Sequence, residues 1–237
     1  MVIKSKSLRQ PSWNAIVWRY MGLDKFFDLL RNRRLVFNRA DNFTDRNELV
    51  IHSLHQSGVL ASEEKKWNSF RTKCLELKES TFVSSWSAQK NESFGLWKVY
   101  LGGNNPGVAI RTNYHDLTNS IRNKDCQIFS GKVQYHDSRN PSSLDYIYKL
   151  NDDQLITTKY AGYEYEHEVR LFLRLDNPSE SSTKVVGIAV DLDTLIQEIY
   201  LSPWIASWFQ DTFREIVENL EPSLSRKIVE SRISDYG

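Results

Sequence analysis

Two cysteines, Cys74 and Cys126, are all that the 237 residues carry. That is too few for a disulfide framework or a zinc site, and it fits a reducing compartment. Excess charge is lacking too: the formal net charge is +1, so composition announces no nucleic-acid footprint, although a local basic groove stays open. No run approaches the roughly 18 apolar residues that a membrane span requires. Residues 1–10 are basic and polar, without the apolar core of a signal peptide. These absences lead us to expect a cytoplasmic protein with no membrane partner. There is no internal repeat and no low-complexity segment. Gly102-Gly103-Asn104-Asn105-Pro106-Gly107 lacks the Lys-Ser/Thr of a phosphate loop and reads as a turn.

What is present is ordinary globular material with many rings. Hydrophobic residues make up 40% and charged residues 26%, with seven Trp, eleven Tyr and eleven Phe. The length suits one domain over residues 1–237, long enough to bury about three quarters of the unfolded surface. Alternation predicts strands over residues 14–20, 34–38, 81–87, 108–112, 127–135, 166–174, 184–190, 198–201 and 227–231. Helical spacing predicts helices over residues 23–32, 62–78, 93–101, 114–122 and 204–220. In the third of these, Phe94, Trp97 and Leu101 form one stripe expected to face the core. Short links between strands favour an α+β fold: a mixed, largely antiparallel, curved sheet flanked by helices.

The candidate chemistry begins at Glu166-His167-Glu168-Val169-Arg170. On a strand, Glu166, Glu168 and Arg170 share one face about 7 Å apart, with His167, Val169, Leu171 and Leu173 on a buried apolar face. The pattern fits a catalytic pair of carboxylates, or a solvated face with ion pairs worth little. The aromatic, flexible approach from Lys159 to Tyr165 favours the first. Arg19, inside the aromatic strand Val17-Trp18-Arg19-Tyr20, is a candidate anion binder; the alternative is snorkelling from an edge strand. Ser84-Ser85-Trp86-Ser87 offers ligand hydrogen bonds beside a stacking Trp, or plain turn and cap chemistry. Asp41, Asp45 and Glu48 form an acidic loop that also suits capping near Asn47. His52 and His55 stand three apart, a weak metal signal without a third ligand.

Several of these motifs occur together, in the order of a known family. They are Trp18-Arg19-Tyr20, Leu29-Leu30, Phe37, Phe43-Thr44-Asp45-Arg46-Asn47-Glu48, Ser84-Ser85-Trp86-Ser87, Trp97-Lys98-Val99-Tyr100, Gly107-Val108-Ala109-Ile110 and Tyr165-Glu166-His167-Glu168-Val169-Arg170. From about residue 17 to about residue 203 the chain resembles bacterial domain-of-unknown-function family 2971. It departs at Arg46, where the family has Pro, and at Ser85-Trp86, where many members have Cys-Phe. The family brings no activity with it.

The layout of Arg on the first strand, serines ending a later one and Glu-x-Glu on a late one is more distantly similar to ADP-ribosyltransferases. That resemblance implies NAD as substrate, with Arg19 on its phosphates or nicotinamide ribose. Ser84, Ser87, Tyr20 and Trp86 would support the pocket. Glu168 would hydrogen-bond the ribose and stabilise an oxocarbenium-like transition state, and Glu166 would assist the acceptor. A toxin or phage-defence effector acting on protein or nucleic acid is the role that follows. Two alternatives stand: a metal-dependent nuclease using Asp45, Glu166 and Glu168, and a non-catalytic binding module.

Overall fold

A computed structural model describes residues 2–43, 64–122, 125–137, 146–175 and 183–233. Its strands are β1 (Val2–Lys4), β2 (Ile16–Gly22), β3 (Arg34–Arg39), β4 (Thr81–Ser87), β5 (Gly107–Asn113) and β6 (Ile128–Lys132). They continue as β7 (Gln134–His136), β8 (Thr158–Tyr160), β9 (Glu168–Arg174), β10 (Val185–Ala189), β11 (Glu198–Leu201) and β12 (Ile228–Glu230). The helices are α1 (Leu23–Asn32), α2 (Glu64–Ser80), α3 (Phe94–Leu101) and α4 (Tyr114–Asn119). After them come α5 (Asp152–Ile156), α6 (Leu192–Leu195), α7 (Ser207–Leu220) and α8 (Pro222–Ser225).

Ten strands share one sheet in the order β1-β6-β9-β4-β2-β5-β11-β12, with β3 joined to β4 and β10 to β3. Its β1–β6 and β11–β12 ladders are parallel and the others antiparallel. The fold is α+β, a mixed and mostly antiparallel sheet flanked by helices. Val17, Met21, Val108, Ile110, Leu171 and Leu173 bury one face beneath α1 and α7, where Phe26 stacks on Phe213 at 5.6 Å. On the other face α3 covers Trp18 and Tyr20 with Leu96 and Trp97, and α2 covers Val83 and Phe172 with Trp67, Phe70 and Cys74. No described helix is long and apolar enough to cross a membrane.

The sheet forks at β4. Along one edge β4 pairs with β9 throughout, from Thr81↔Arg174 to Ser87↔Glu168. Two strands share its other edge: β2 touches it at Trp18↔Ser87, and β3 at Asn38↔Val83 and Arg39↔Phe82. Residues 84–86 lie between the prongs with no strand partner on that side. Because β2, α1 and β3 are consecutive, a single strand–helix–strand unit makes both prongs, and buried Phe26, Leu29 and Leu30 pin α1 to the sheet.

Two sequence expectations need correction here. Trp97 and Leu101 are buried, but Phe94 is 51% exposed. It opens the first turn of a helix only two turns long, where it lies on Trp204 at 6.0 Å and under the Lys98 ammonium at 5.1 Å. The helix then ends at Gly102, whose φ of 67° is the left-handed cap that its lack of Cβ permits. The second correction concerns Glu166, and it belongs to the site.

Candidate functional site

A cavity of about 960 Å³ occupies the fork. That is at the upper end of the range of small-molecule pockets. The Trp18–Ser87 register puts Arg19 on the Trp86 side of the sheet, and Ser87 and Glu168 on the other. In a continuous sheet these sets would never meet. The gap beside residues 84–86 lets Arg19, Tyr20, Trp86, Ser87, Glu166 and Glu168 line one space.

Arg19 spans that gap. Its Nη2 donates to the Val36 carbonyl of β3 at 3.2 Å, its Nη1 donates to the Ser84 hydroxyl of β4, and its guanidinium lies 5.7 Å from the Trp86 ring. At Arg19 strand β2 is paired only with β5, and the side chain turns across the gap to Ser84 and Val36 rather than out to solvent, so edge snorkelling does not describe it. No carboxylate pairs with Arg19 among the described residues. Of its five guanidinium donors two are spent on described residues, which leaves others for a ligand beside the cavity. Desolvation lowers its pKa to about 10, against a smaller opposing effect of Tyr100, so it stays cationic. Ser84 is wholly buried beneath it and also accepts from the Trp86 indole at 3.3 Å.

The carboxylates reach the cavity by a route that the alternating pattern concealed. Residues Ala161–Glu166 form a 3₁₀ helix, and His167 follows at φ 44°, in the left-handed region. Strand β9 therefore begins at Glu168, not Glu166, and His167 is exposed rather than buried. A non-glycine residue rarely adopts that conformation, and here it breaks the strand between the two glutamates. Ser87 Oγ donates to the Glu166 carbonyl at 2.6 Å, and Gln89 Nε2 to the Tyr165 carbonyl at 2.8 Å, fixing the turn against the end of β4.

The charges are buried: Glu166 is 5%, Glu168 4% and Arg170 2% exposed, so this is no solvated face. Arg170 grips Glu168 with two donors, Nε to Oε1 at 2.9 Å and Nη2 to Oε2 at 3.0 Å, and gives Nη1 to the Ile156 carbonyl at 2.5 Å. Lys159 Nζ donates to Glu166 Oε2 at 2.9 Å and to Glu168 Oε2 at 3.5 Å, and sits 4.6 Å from the Tyr163 ring. Burial pushes the Glu168 carboxyl up, but the charges of Arg170 and Lys159, with hydrogen bonds from Arg170 and Ser85, outweigh it and hold Glu168 ionised. At Glu166 the balance reverses, and burial raises the carboxyl despite Lys159.

The sequence reading gave no place in the site to Lys159, no grip on Glu168 to Arg170, which it read only as a cation on the same face, and no role to Tyr100. The first two lay in or beside the motif, but their contacts depend on a turn that alternation cannot show. Tyr100, 43% exposed, lines the same cavity as Arg19, Glu166 and Glu168. Tyr20 lines the wall, its hydroxyl accepting from the Ser93 amide at 2.8 Å. Asp41 is spoken for by Arg39 at 2.8 Å and Lys184 at 3.2 Å. Asp45, Glu48, His52 and His55 lie outside the described residues, among which no group of three or more His, Cys, Asp or Glu gathers to hold a metal ion. Comparison with protein-family models and with curated proteins finds no match, so the cleft is read from its own chemistry.

Proposed function

We propose that the cleft binds NAD and breaks its bond between ribose and nicotinamide, passing ADP-ribose to an acceptor or to water. The observation that carries this reading is Arg19, a cation with no carboxylate partner among the described residues, in one cavity with the ionised Glu168 and a second carboxyl, Glu166. Arg19 has donors left for a phosphate oxygen, which its planar fork suits. Tyr20, Trp86 and Tyr100 supply aromatic walls, and the anionic end stands where positive charge develops on the ribose. Membership of family 2971, a cytoplasmic setting and a toxin or phage-defence role on protein or nucleic acid belong to the same proposal.

The test is nicotinamide release from labelled NAD, with and without chelator, using cell lysate and RNA as acceptors. Release that persists in chelator and is lost in Arg19→Met supports the reading. Release that requires a divalent ion, or chelator-sensitive RNA cleavage indifferent to NAD, points to the nuclease alternative. If nicotinamide never exceeds the no-enzyme control and NAD leaves thermal stability unmoved, the enzyme assignment gives way to a binding module.

A further inference from the structure

The cavity is lined from both faces of the sheet. Glu168 and Tyr100 stand on the face that α3 covers, while Met21, Leu29 and Leu35 belong to the α1 face. Arg19 turns to the α1 face, beside Trp86, and reaches across the gap to Val36 and Ser84. A ligand that touches Glu168 and Arg19 together is therefore already passing through the sheet. Beyond Arg19 the cavity continues along one flank of α1, past Asp24, Lys25 and Asp28, over the buried side chains of Met21, Leu29 and Leu35. Asp28 is engaged, accepting from Asn32 at 2.7 Å and from Arg34 at 3.0 Å. No hydrogen bond or ion pair joins Asp24 to another described side chain; its Oδ1 folds back over Gly22, 2.6 Å from where a Cβ would stand. Gly22 has φ −66°, a value open to any residue, so what it supplies there is space.

We propose that the dinucleotide passes through the fork, with its adenosine half on the α1 side of the sheet and the Asp24 carboxylate on the adenosine ribose. This rests on the cleft being the NAD site. A dinucleotide carries its diphosphate in the middle. With one ribose at Glu168 and the diphosphate on Arg19, the second nucleoside runs onward past Arg19, not back. The carboxylate face has two other groups to hold, the departing nicotinamide and the incoming acceptor. The α1 side offers what adenosine needs: apolar side chains beneath a flat base, and an acidic side chain of the kind that holds a ribose 2′-hydroxyl in doubly wound nucleotide-binding folds. A 2′-phosphate would meet Asp24 as a like charge, and Arg34 is already held by Asp28, which leaves Lys25 as the cation on that flank. The site therefore prefers NAD to its 2′-phosphorylated form.

Two measurements test the path. In the first, the intact chain is irradiated with 8-azido-NAD, with and without excess NAD, and adducts are mapped by mass spectrometry. Adducts that NAD suppresses are expected within residues 21–36, on the end of β2, α1 and β3. Suppressible adducts elsewhere, as on Tyr100, Tyr163 or Tyr165, overturn the path and leave the NAD reading standing. Absence of any suppressible adduct overturns it as well, and a thermal shift with NAD then tells whether the NAD reading survives. The second measurement compares affinities. Asp24→Ala should weaken NAD by about tenfold or more, the scale of one hydrogen bond to a charged group, with its melting temperature kept. It should leave the affinity for nicotinamide mononucleotide, which lacks the adenosine, unchanged. Gly22→Ala, whose new Cβ displaces the Asp24 carboxylate, should act in the same direction. NADP should bind the wild type at least about tenfold more weakly than NAD, and Asp24→Ala should narrow that ratio. Unchanged NAD affinity in Asp24→Ala, an equal loss for the mononucleotide, or NADP bound as tightly as NAD overturns the assignment of Asp24.

Discussion

Arg19 and Arg170 flank β4 on neighbouring strands, Arg19 half-buried and Arg170 buried, and their partners differ. Among the described residues Arg170 gives two donors to Glu168 and one to a carbonyl, and Lys159 and Glu166 join it in a group of two cations and two anions. Arg19 holds only a hydroxyl and a carbonyl, across a gap in the sheet. Burial of a charge therefore does not by itself mark a binding group. The informative feature is a partly desolvated charge whose partners do not balance it, because that imbalance favours an opposite charge from outside.

The sharpest way to break this contrast is to remove Arg170. Arg170→Met leaves Glu168 buried without its main partner and should destabilise the fold by about 3–5 kcal/mol in urea titration. Trp97→Ala is the apolar yardstick, expected to cost a similar ~3–5 kcal/mol through the cavity it leaves. A smaller loss for Arg170→Met than for Trp97→Ala would mean that the ion group is less closed than its geometry indicates.

The same contrast has a pH signature. Glu168 is held below its unfolded value, so its stabilisation is complete above about pH 4.3 and is lost as pH falls through the folded pKa. Arg170→Met should flatten that acid limb in melting curves taken from about pH 5 down to pH 2. Glu166 has the opposite sign: its raised pKa means stability declines as pH rises through it, and Glu166→Gln should relieve that decline. Arg19→Met should change stability by about 1 kcal/mol or less, since two hydrogen bonds are exchanged for relief of a desolvated charge. It should nevertheless abolish the thermal shift produced by NAD. The smallest effect belongs to Phe94→Ala, within about 0.5 kcal/mol as for an ordinary surface site.

Much of the fold was legible because local pattern and tertiary environment agree. Residues 23–32, 81–87 and 198–201 are the α1, β4 and β11 boundaries without adjustment. Glu166-His167-Glu168 misled for a definite reason: charged and apolar residues alternate as in a half-exposed strand, while both faces of β9 are buried and the turn sits at His167. Arg19, Ser87 and Glu168 were legible as polar interruptions of apolar strands. What no local pattern contained was the fork, since it depends on β2 and β3 taking different stretches of one edge of β4. The Phe94 error has a similar origin, because helical period locates a stripe but not where the sheet beneath it stops.

The fork also sets the tempo at which the chain folds. Strand β4 is bounded by residues 81–87, yet its neighbours come from residues 16–22, 34–39 and 168–174. None is adjacent in sequence, and β9 closes its ladder only after most of the chain has been made. Pairings so distant must meet the entropy of long loops before they gain any contact energy, which slows their formation. The helices and the β2–α1–β3 unit, built from local contacts, are free to form early. The cleft, which exists only once β4 has both its prongs and β9, is accordingly among the last features of the molecule to take shape.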